Sequence, residues 1–293
     1  MKVGIIDIGS NTVRLLAAES GRSGAVTALH EERHQIGLGD AIERRGRIPE
    51  AKLSETADCA RSYAKLARRM GCDRLEVVVT APGRQSLNAA ALLAALGDAV
   101  GVAPRVLSAE SEGRLAYLGA VTSSPLPLRL TAVCDVGGGS TEIAFGVSPD
   151  DADWVDSIDT GSLRLTSRYF GTSSGRSEVR AARAEVRALL AQVEEPRPRA
   201  ALATGGSARA LRRLVGRSLG TGELEQVIDS LTGRTPAKIA RKHGIELRRA
   251  RTLLAGTVIL AEVNVKLGVP FEVARGGMRE GLAAEMLAEL AAA

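Results

Sequence analysis

The sequence predicts an α/β fold in two domains, with a mixed sheet in each half. Three observations lead there. The chain has 293 residues, long for one ordinary core and suited to two units of roughly 100–200 residues each. Short apolar runs rich in β-branched residues alternate with segments of helical periodicity. One unit, an apolar strand ending in Asp, an apolar residue, Gly, a polar turn and a second strand, occurs twice, at Asp7 and at Asp135. The two copies open runs of similar length, as an internal duplication would.

Residues 3–8 (VGIIDI) read as a strand that ends in Gly9-Ser10-Asn11-Thr12, and Val13 to Ala18 as the strand after the turn. Helical periodicity over 51–70 puts Leu53, Ala57, Ala60, Ala64 and Ala67 on one face. Residues 75–80 (LEVVVT) are a buried strand, Asn88 to Leu96 an Ala/Leu helix, and Val106-Leu107 a short strand. Glu110 to Leu118 follows as a helix with Ser108 near its N-cap. Ser123-Ser124-Pro125-Leu126-Pro127 is the best domain boundary, since it holds two prolines and no periodicity. Beyond it, the strand Leu130 to Cys134 ends in Asp135-Val136-Gly137-Gly138-Gly139-Ser140-Thr141, and Glu142 to Val147 is the partner strand. Residues 150–159, with five Asp, read as a loop and hairpin edge. Helices are expected at 162–170 and 177–194, the second closed by Pro196 and Pro198. Ala200 to Ala203 is a strand, and Thr204-Gly205-Gly206-Ser207 opens a basic helix, 207–217. Helices at 223–231, 235–243 and 246–266, a strand at Phe271 to Ala274, the pair Gly276-Gly277 and a terminal helix, 279–292, complete the order.

Composition narrows the chemistry. Aromatic residues are 2% of the chain, so Ala, Leu and Val must build the cores. A net charge of +5 is too mild to indicate a nucleic-acid binder. The excess is nevertheless concentrated: Arg164 to Arg217 holds twelve Arg against four acids, and Arg234 to Arg251 seven basic residues against Glu246. A positive face in the second half suits a polyanion, and solvated amphipathic helices would account for it equally well. Cys59, Cys72 and Cys134 have neither disulfide nor metal spacing and fit a reducing cytoplasm. No signal peptide and no membrane-length apolar stretch is read, and His30, His34 and His243 form no metal triad.

A glycine-rich turn between strands lets backbone N–H groups reach an anion. An Asp at the end of the preceding strand cannot bind phosphate itself. It can hold hydrated Mg²⁺, with Mn²⁺ as a substitute, which then contacts phosphate oxygens. One such turn is ordinary. Two, one in each half, point to a phosphate clamp with Asp7 and Asp135 at the metal.

The motifs carry a family resemblance. DIGSNTVRLL (7–16) and VCDVGGGSTE (133–142) resemble the two phosphate motifs of the exopolyphosphatase / guanosine pentaphosphate phosphatase (Ppx/GppA) family. TAPGRQSLN (80–88) is similar to its Thr-Ala-x-x-Arg-x-x-x-Asn element, and LSAESEGRLAYLGA (107–120) to the helix with the catalytic acid. GSLRLTSRYF (161–170), ATGGSARALRRL (203–214), LLAGTVIL (253–260) and GGMREGL (276–282) resemble later elements. Ser111, Pro82-Gly83, Arg251 and Ala274-Arg275 depart from the family pattern, and the chain resembles a short form without the helical C-terminal domain.

The resemblance implies two actin-like (ASKHA, ribonuclease H-like) domains around a phosphate-binding cleft: 1–122, 123–278, and a terminal helix in 279–293 packing back on the first. It implies a phosphoanhydride hydrolase, first of all an exopolyphosphatase acting on the terminal bond of inorganic polyphosphate, with 5′-phosphate removal from guanosine pentaphosphate as the alternative, no nucleic-acid or membrane partner, and a homodimer left open. Glu112 is then the general base, with Arg14 and Arg84 as guanidinium donors to phosphate. Gly9, Ser10, Asn11, Thr12, Gly137, Gly138, Gly139, Ser140 and Thr141 cradle phosphate, joined by Gly205, Gly206 and Ser207. Glu142 joins the metal acids, directly or from behind. A kinase on this fold would need an acceptor-activating Asp, and none is evident. A sensor without turnover would have little use for Glu112 beside both Asp residues.

Overall fold

The computed structural model describes residues 1–21, 26–124, 129–171, 174–193 and 197–292. In the first half, β1 (Lys2–Ile8), β2 (Thr12–Ser20) and β3 (Val26–Gln35) form an antiparallel meander. Helices α1 (Leu38–Arg45) and α2 (Glu50–Arg69) lead to β4 (Arg74–Val79), followed by α3 (Ala81–Gln85), α4 (Ala89–Val100), β5 (Arg105–Val106) and α5 (Ala109–Thr122). The sheet order is β3-β2-β1-β4-β5, with β1, β4 and β5 parallel.

The second half repeats this plan. It contains β6 (Thr131–Val136), β7 (Thr141–Gly146), β8 (Trp154–Ile158), α6 (Ser162–Tyr169), α7 (Arg176–Leu190), β9 (Ala200–Thr204) and α8 (Gly205–Val215). After them come β10 (Ser218–Leu219), α9 (Thr221–Leu231), α10 (Pro236–His243), α11 (Leu247–Leu267), β11 (Phe271–Val273) and α12 (Met278–Ala292). The order β8-β7-β6-β9-β11 matches the first sheet in sequence and in pairing sense, with β10 added at the edge. The duplicated turns share one hydrogen bond: Gly9 N–H donates to the Thr12 carbonyl at 3.0 Å, and Gly137 N–H to that of Ser140 at 3.1 Å.

Central strands β1 and β6 are buried on both faces, which is why they read as continuous apolar runs. On the first sheet, α2 and α4 cover one face, with Leu53, Ala60, Leu92 and Leu96 against Ile6 and Ile8. The other face meets α5 and α12, through Leu115, Ala116, Leu282 and Met286 against Val3, Ile5 and Val78. Helix α5 also covers the second sheet, with Tyr117 and Ala120 against Val133, Ala144 and Leu202. It is therefore buried nearly all round and wedged between the halves. The remaining core, on the far face of the second sheet, is built on α7, α8, α9 and α11.

Several elements escaped the sequence pattern. Strand β3 (VTALHEERHQ) is an exposed edge rich in charge, with no apolar alternation to reveal it. Helix α1 is short, and β10 has two residues, below any periodicity. The departure Pro82-Gly83 leaves α3 helical, because a proline in the first turn needs no N–H partner. Expected helices lie within a few residues of their observed ends. Pro125 to Pro127 of the expected boundary, Pro196 and Ala293 lie outside the described residues.

Candidate active site between the two sheets

The two glycine turns face each other across a cleft at the ends of β1 and β6. Its wall includes Asp7, Gly9, Ser10, Asn11, Thr12 and Arg14 from the first half. The second half supplies Asp135, Gly137, Gly138, Gly139, Ser140, Gly205 and Gly206. The turns nearly touch: a Cβ on Gly139 would lie 2.8 Å from Ser10 Oγ and 2.9 Å from Gln85 Oε1, so any larger residue there would push those side chains aside. Gly205 has φ +86°, and a Cβ on it would meet Asp135 Oδ1 at 2.7 Å. Among the described residues, the N–H groups of Ser10, Asn11, Gly138 and Gly139 have no intramolecular acceptor. The N-terminus of α8 adds more unpaired N–H groups, since Thr204 makes no side-chain cap. Three sets of backbone donors thus converge on one space, an arrangement suited to an anion.

Guanidinium groups complete it. Arg14, Arg209, Arg249 and Arg279 line the cleft. Arg14 donates only to Thr12 Oγ1, at 3.2 Å. Neither Arg14, Arg209 nor Arg249 has a carboxylate within ion-pair distance among the described residues. Burial, with mutual repulsion among these arginines, pulls the Arg14 guanidinium down to about 9 and Arg249 to about 10, and lowers Arg209. Half-buried cations with no partner are costly, and an anion would relieve them.

The acids lie in the same cleft. Burial raises the Asp135 carboxyl to about 6, and Asp7 adds to the rise; the Asp7 carboxyl is raised too, by burial against the pull of Arg279 and Arg14. Two carboxylates that disfavour each other's charge, both hard oxygen donors without side-chain hydrogen bonds among the described residues, fit a divalent cation such as Mg²⁺. No cluster of three or more His, Cys, Asp or Glu exists among the described residues, so such an ion would rest on these two and on water.

Glu112, in the first turn of α5, lines the cleft beside the phosphate turns. Its Oε2 accepts from Arg84 Nη1 at 2.9 Å. Burial pushes its carboxyl up to about 7 despite Arg84, into the range where a base works at neutral pH.

The structure corrects four expected roles. Arg84 does not line the cleft wall: its guanidinium donates to the Leu107 carbonyl (2.7 Å), Glu112 and Ser140 Oγ (3.2 Å), so it holds Glu112 from behind that wall. Glu142 lies one layer behind, 3.8 Å from Arg84, with Oε1 accepting from Ser157 Oγ. Burial and the neighbouring Glu112 raise its carboxyl well above the usual range, and it stays off the cleft wall, a poor position for a metal ligand. Thr141 Oγ1 donates to the Thr160 carbonyl at 2.8 Å, away from the cleft. The Ser207 side chain packs on Gly256 of α11. Arg209, Arg249 and Arg279 were missed, because helix position alone does not distinguish a cleft arginine from a solvated one.

A profile of the Ppx/GppA phosphatase family matches residues 17–290. The chain belongs to that family. The Aquifex aeolicus member, solved by crystallography, superposes with a TM-score of 0.85 at 28% identity, over 99% of this chain and 98% of that one. Exopolyphosphatase 1 of Mycobacterium tuberculosis is 28% identical over 301 residues, covering 96% of this chain and 87% of the relative. The guanosine-5'-triphosphate,3'-diphosphate pyrophosphatase of Photobacterium profundum is 25% identical, over 97% of this chain and 59% of its own length. Family membership and fold agree: the chain is a Ppx/GppA hydrolase of α/β class with two mixed sheets. Among the described residues no helix is long and apolar enough to cross a membrane.

Proposed function

We propose that the chain is an exopolyphosphatase, hydrolysing the terminal phosphoanhydride of inorganic polyphosphate. The observation that carries this reading is the set of unpaired guanidinium groups. Arg14, Arg209 and Arg249 line the inner cleft, which continues into an outer groove with Arg213 and Arg275. Among the described residues no Phe, Tyr or Trp lines either space, so a guanine base would find no ring there to stack on. A run of charge without rings matches a repeating polyanion better than a nucleotide. Arg251, expected on the same path, is exposed on α11 and lines neither space.

In this mechanism the turn N–H groups and Arg14 hold the terminal phosphoryl group and take up its developing charge. Ionised Glu112 accepts a proton from a water as the water oxygen bonds to the terminal phosphorus. The bridging P–O bond breaks, and the shortened chain leaves with the electron pair on its new terminal oxygen. Arg84, tied to Leu107 and Ser140, keeps the Glu112 carboxylate aimed at that water. Asp7 and Asp135 would hold Mg²⁺, which when bound supplies positive charge against the phosphoryl oxygens.

The test is phosphate release from polyphosphate, guanosine pentaphosphate and ATP at equal concentration. Polyphosphate should be cleaved fastest, with a KM that rises steeply with salt. Faster cleavage of guanosine pentaphosphate, as the name of the Photobacterium relative would suggest, overturns the substrate assignment.

A further inference from the structure

The outer groove is not uniformly positive. Arg33 of β3 and Glu246, at the N-cap of α11, form an ion pair that joins the first half to the second across it. Glu246 borders the groove on both sides: it lines the outer arm with Arg213 and Arg275, and a neighbouring arm with Asn11, Thr12, His34 and Arg248. It does not line the inner cleft, where Asp7, Asp135 and Glu112 lie. An acid in the path of a polyanion opposes binding twice, by repulsion and by occupying Arg33. Its side chain makes no cap hydrogen bond on α11, so this orientation serves the pair and not the helix end. Both partners are about half exposed, 53% and 55%. An exposed pair is weak and displaceable, altering an equilibrium by about fivefold at most.

We infer that the Arg33–Glu246 pair is a strap across the outer groove that makes Glu246 a chain-length determinant. The inference rests on the polyphosphate reading. A chain short enough to end within the inner cleft never meets Glu246. A longer chain runs into the outer groove, where it must displace Glu246 from Arg33 and then gains that guanidinium as a phosphate contact. Binding of long chains therefore includes the cost of opening the strap, and binding of short chains does not.

The variant Glu246→Gln tests this. Affinity for tripolyphosphate and for a long-chain polyphosphate is measured by calorimetry in EDTA, where binding is read without turnover, and KM is measured with Mg²⁺. The expected result is long-chain binding tightened about three- to fivefold, with tripolyphosphate within about twofold of wild type. In an Arg33→Gln background, Glu246→Gln should tighten long-chain binding by less, because the strap is already gone. Equal effects on both ligands, no effect on either, or an undiminished effect in the Arg33→Gln background would overturn the strap. The underlying reading fails separately, if wild-type protein with Mg²⁺ releases no phosphate from either ligand while the calorimetry still reports on the strap.

Discussion

The two turn units share a pairing register and carry opposite charges at one equivalent cross-strand position. In the first, Asp7 pairs in register with Arg14; in the second, Asp135 pairs with Glu142. The step from the Asp is the same in both, so the duplicated hairpin presents equivalent sites and the charge there is reversed. Arg14 lies on the cleft wall, half-buried and unpaired by any acid, ready for an anion. Glu142 is sealed behind Glu112 and Arg84, one of its oxygens without a partner. The difference divides the labour. In the proposed mechanism one half presents charge to the phosphate, and the other backs the base that activates the attacking water. Each half retains its Asp, so the metal requirement should be symmetric where the rest is not.

That symmetry gives the largest expected effect. EDTA should abolish turnover and Mg²⁺ restore it. Asp7→Asn and Asp135→Asn should each raise the Mg²⁺ needed for half-maximal rate, by at least the roughly 10–100-fold typical of outer partners of a metal. Full turnover in EDTA, or a response from only one of the two variants, breaks the symmetry.

Next comes the base. Glu112→Gln should lower kcat by about 10²–10⁴-fold with KM level or reduced. Circular dichroism must report a folded variant; one that is folded with near wild-type kcat removes the assignment. Its raised carboxyl also sets a stability slope. The folded chain holds a proton that the unfolded chain gives up above its ordinary value of 4.5, so this contribution is full below that pH and is lost as pH rises through about 7. The Tm of metal-free protein should fall across that window, and less so in Glu112→Gln.

Arg14→Gln should then weaken kcat/KM for polyphosphate by roughly 10–100-fold, the loss of a charge-assisted hydrogen bond of about 1.5–3 kcal/mol. The loss should appear in both KM and kcat, whereas loss of the base falls on kcat alone, which separates Arg14 from the base.

A smaller effect is expected in the pH profile. Turnover should rise as pH increases through about 7, where Glu112 loses its proton. Arg84 favours the ionised form, so Arg84→Gln should move this limb to higher pH, with KM changed little. A shift to lower pH would contradict the pairing. Least of all should Glu142→Gln matter: the amide mimics the protonated acid, and kcat should stay within about threefold, because only an ordinary neutral hydrogen bond is exchanged. A large loss would mean that Glu142 works ionised, and the two halves would then be less different than their burial implies.

Much of this was legible in residues alone. The repeated Asp-x-Gly turns and the alternation of strand and helix follow from local patterns, because turn chemistry and burial periodicity act over a few residues; Glu112 was singled out only through the family resemblance. Polarity hid β3, and brevity hid α1 and β10, since an exposed edge or a single turn carries no periodic signal. What only the tertiary structure decided is which side of the wall each charge occupies. Arg84, Arg209 and Arg249 are alike in sequence, each an arginine on a helix, yet Arg84 turns inward to Glu112 while the other two meet in the cleft. Glu112 and Glu142 are both acids near glycines, yet only Glu112 reaches the cleft wall. The reason is physical: a side chain's role is set by its neighbours in space, and those neighbours come from the other half of the chain, brought together by α5 packing on both sheets.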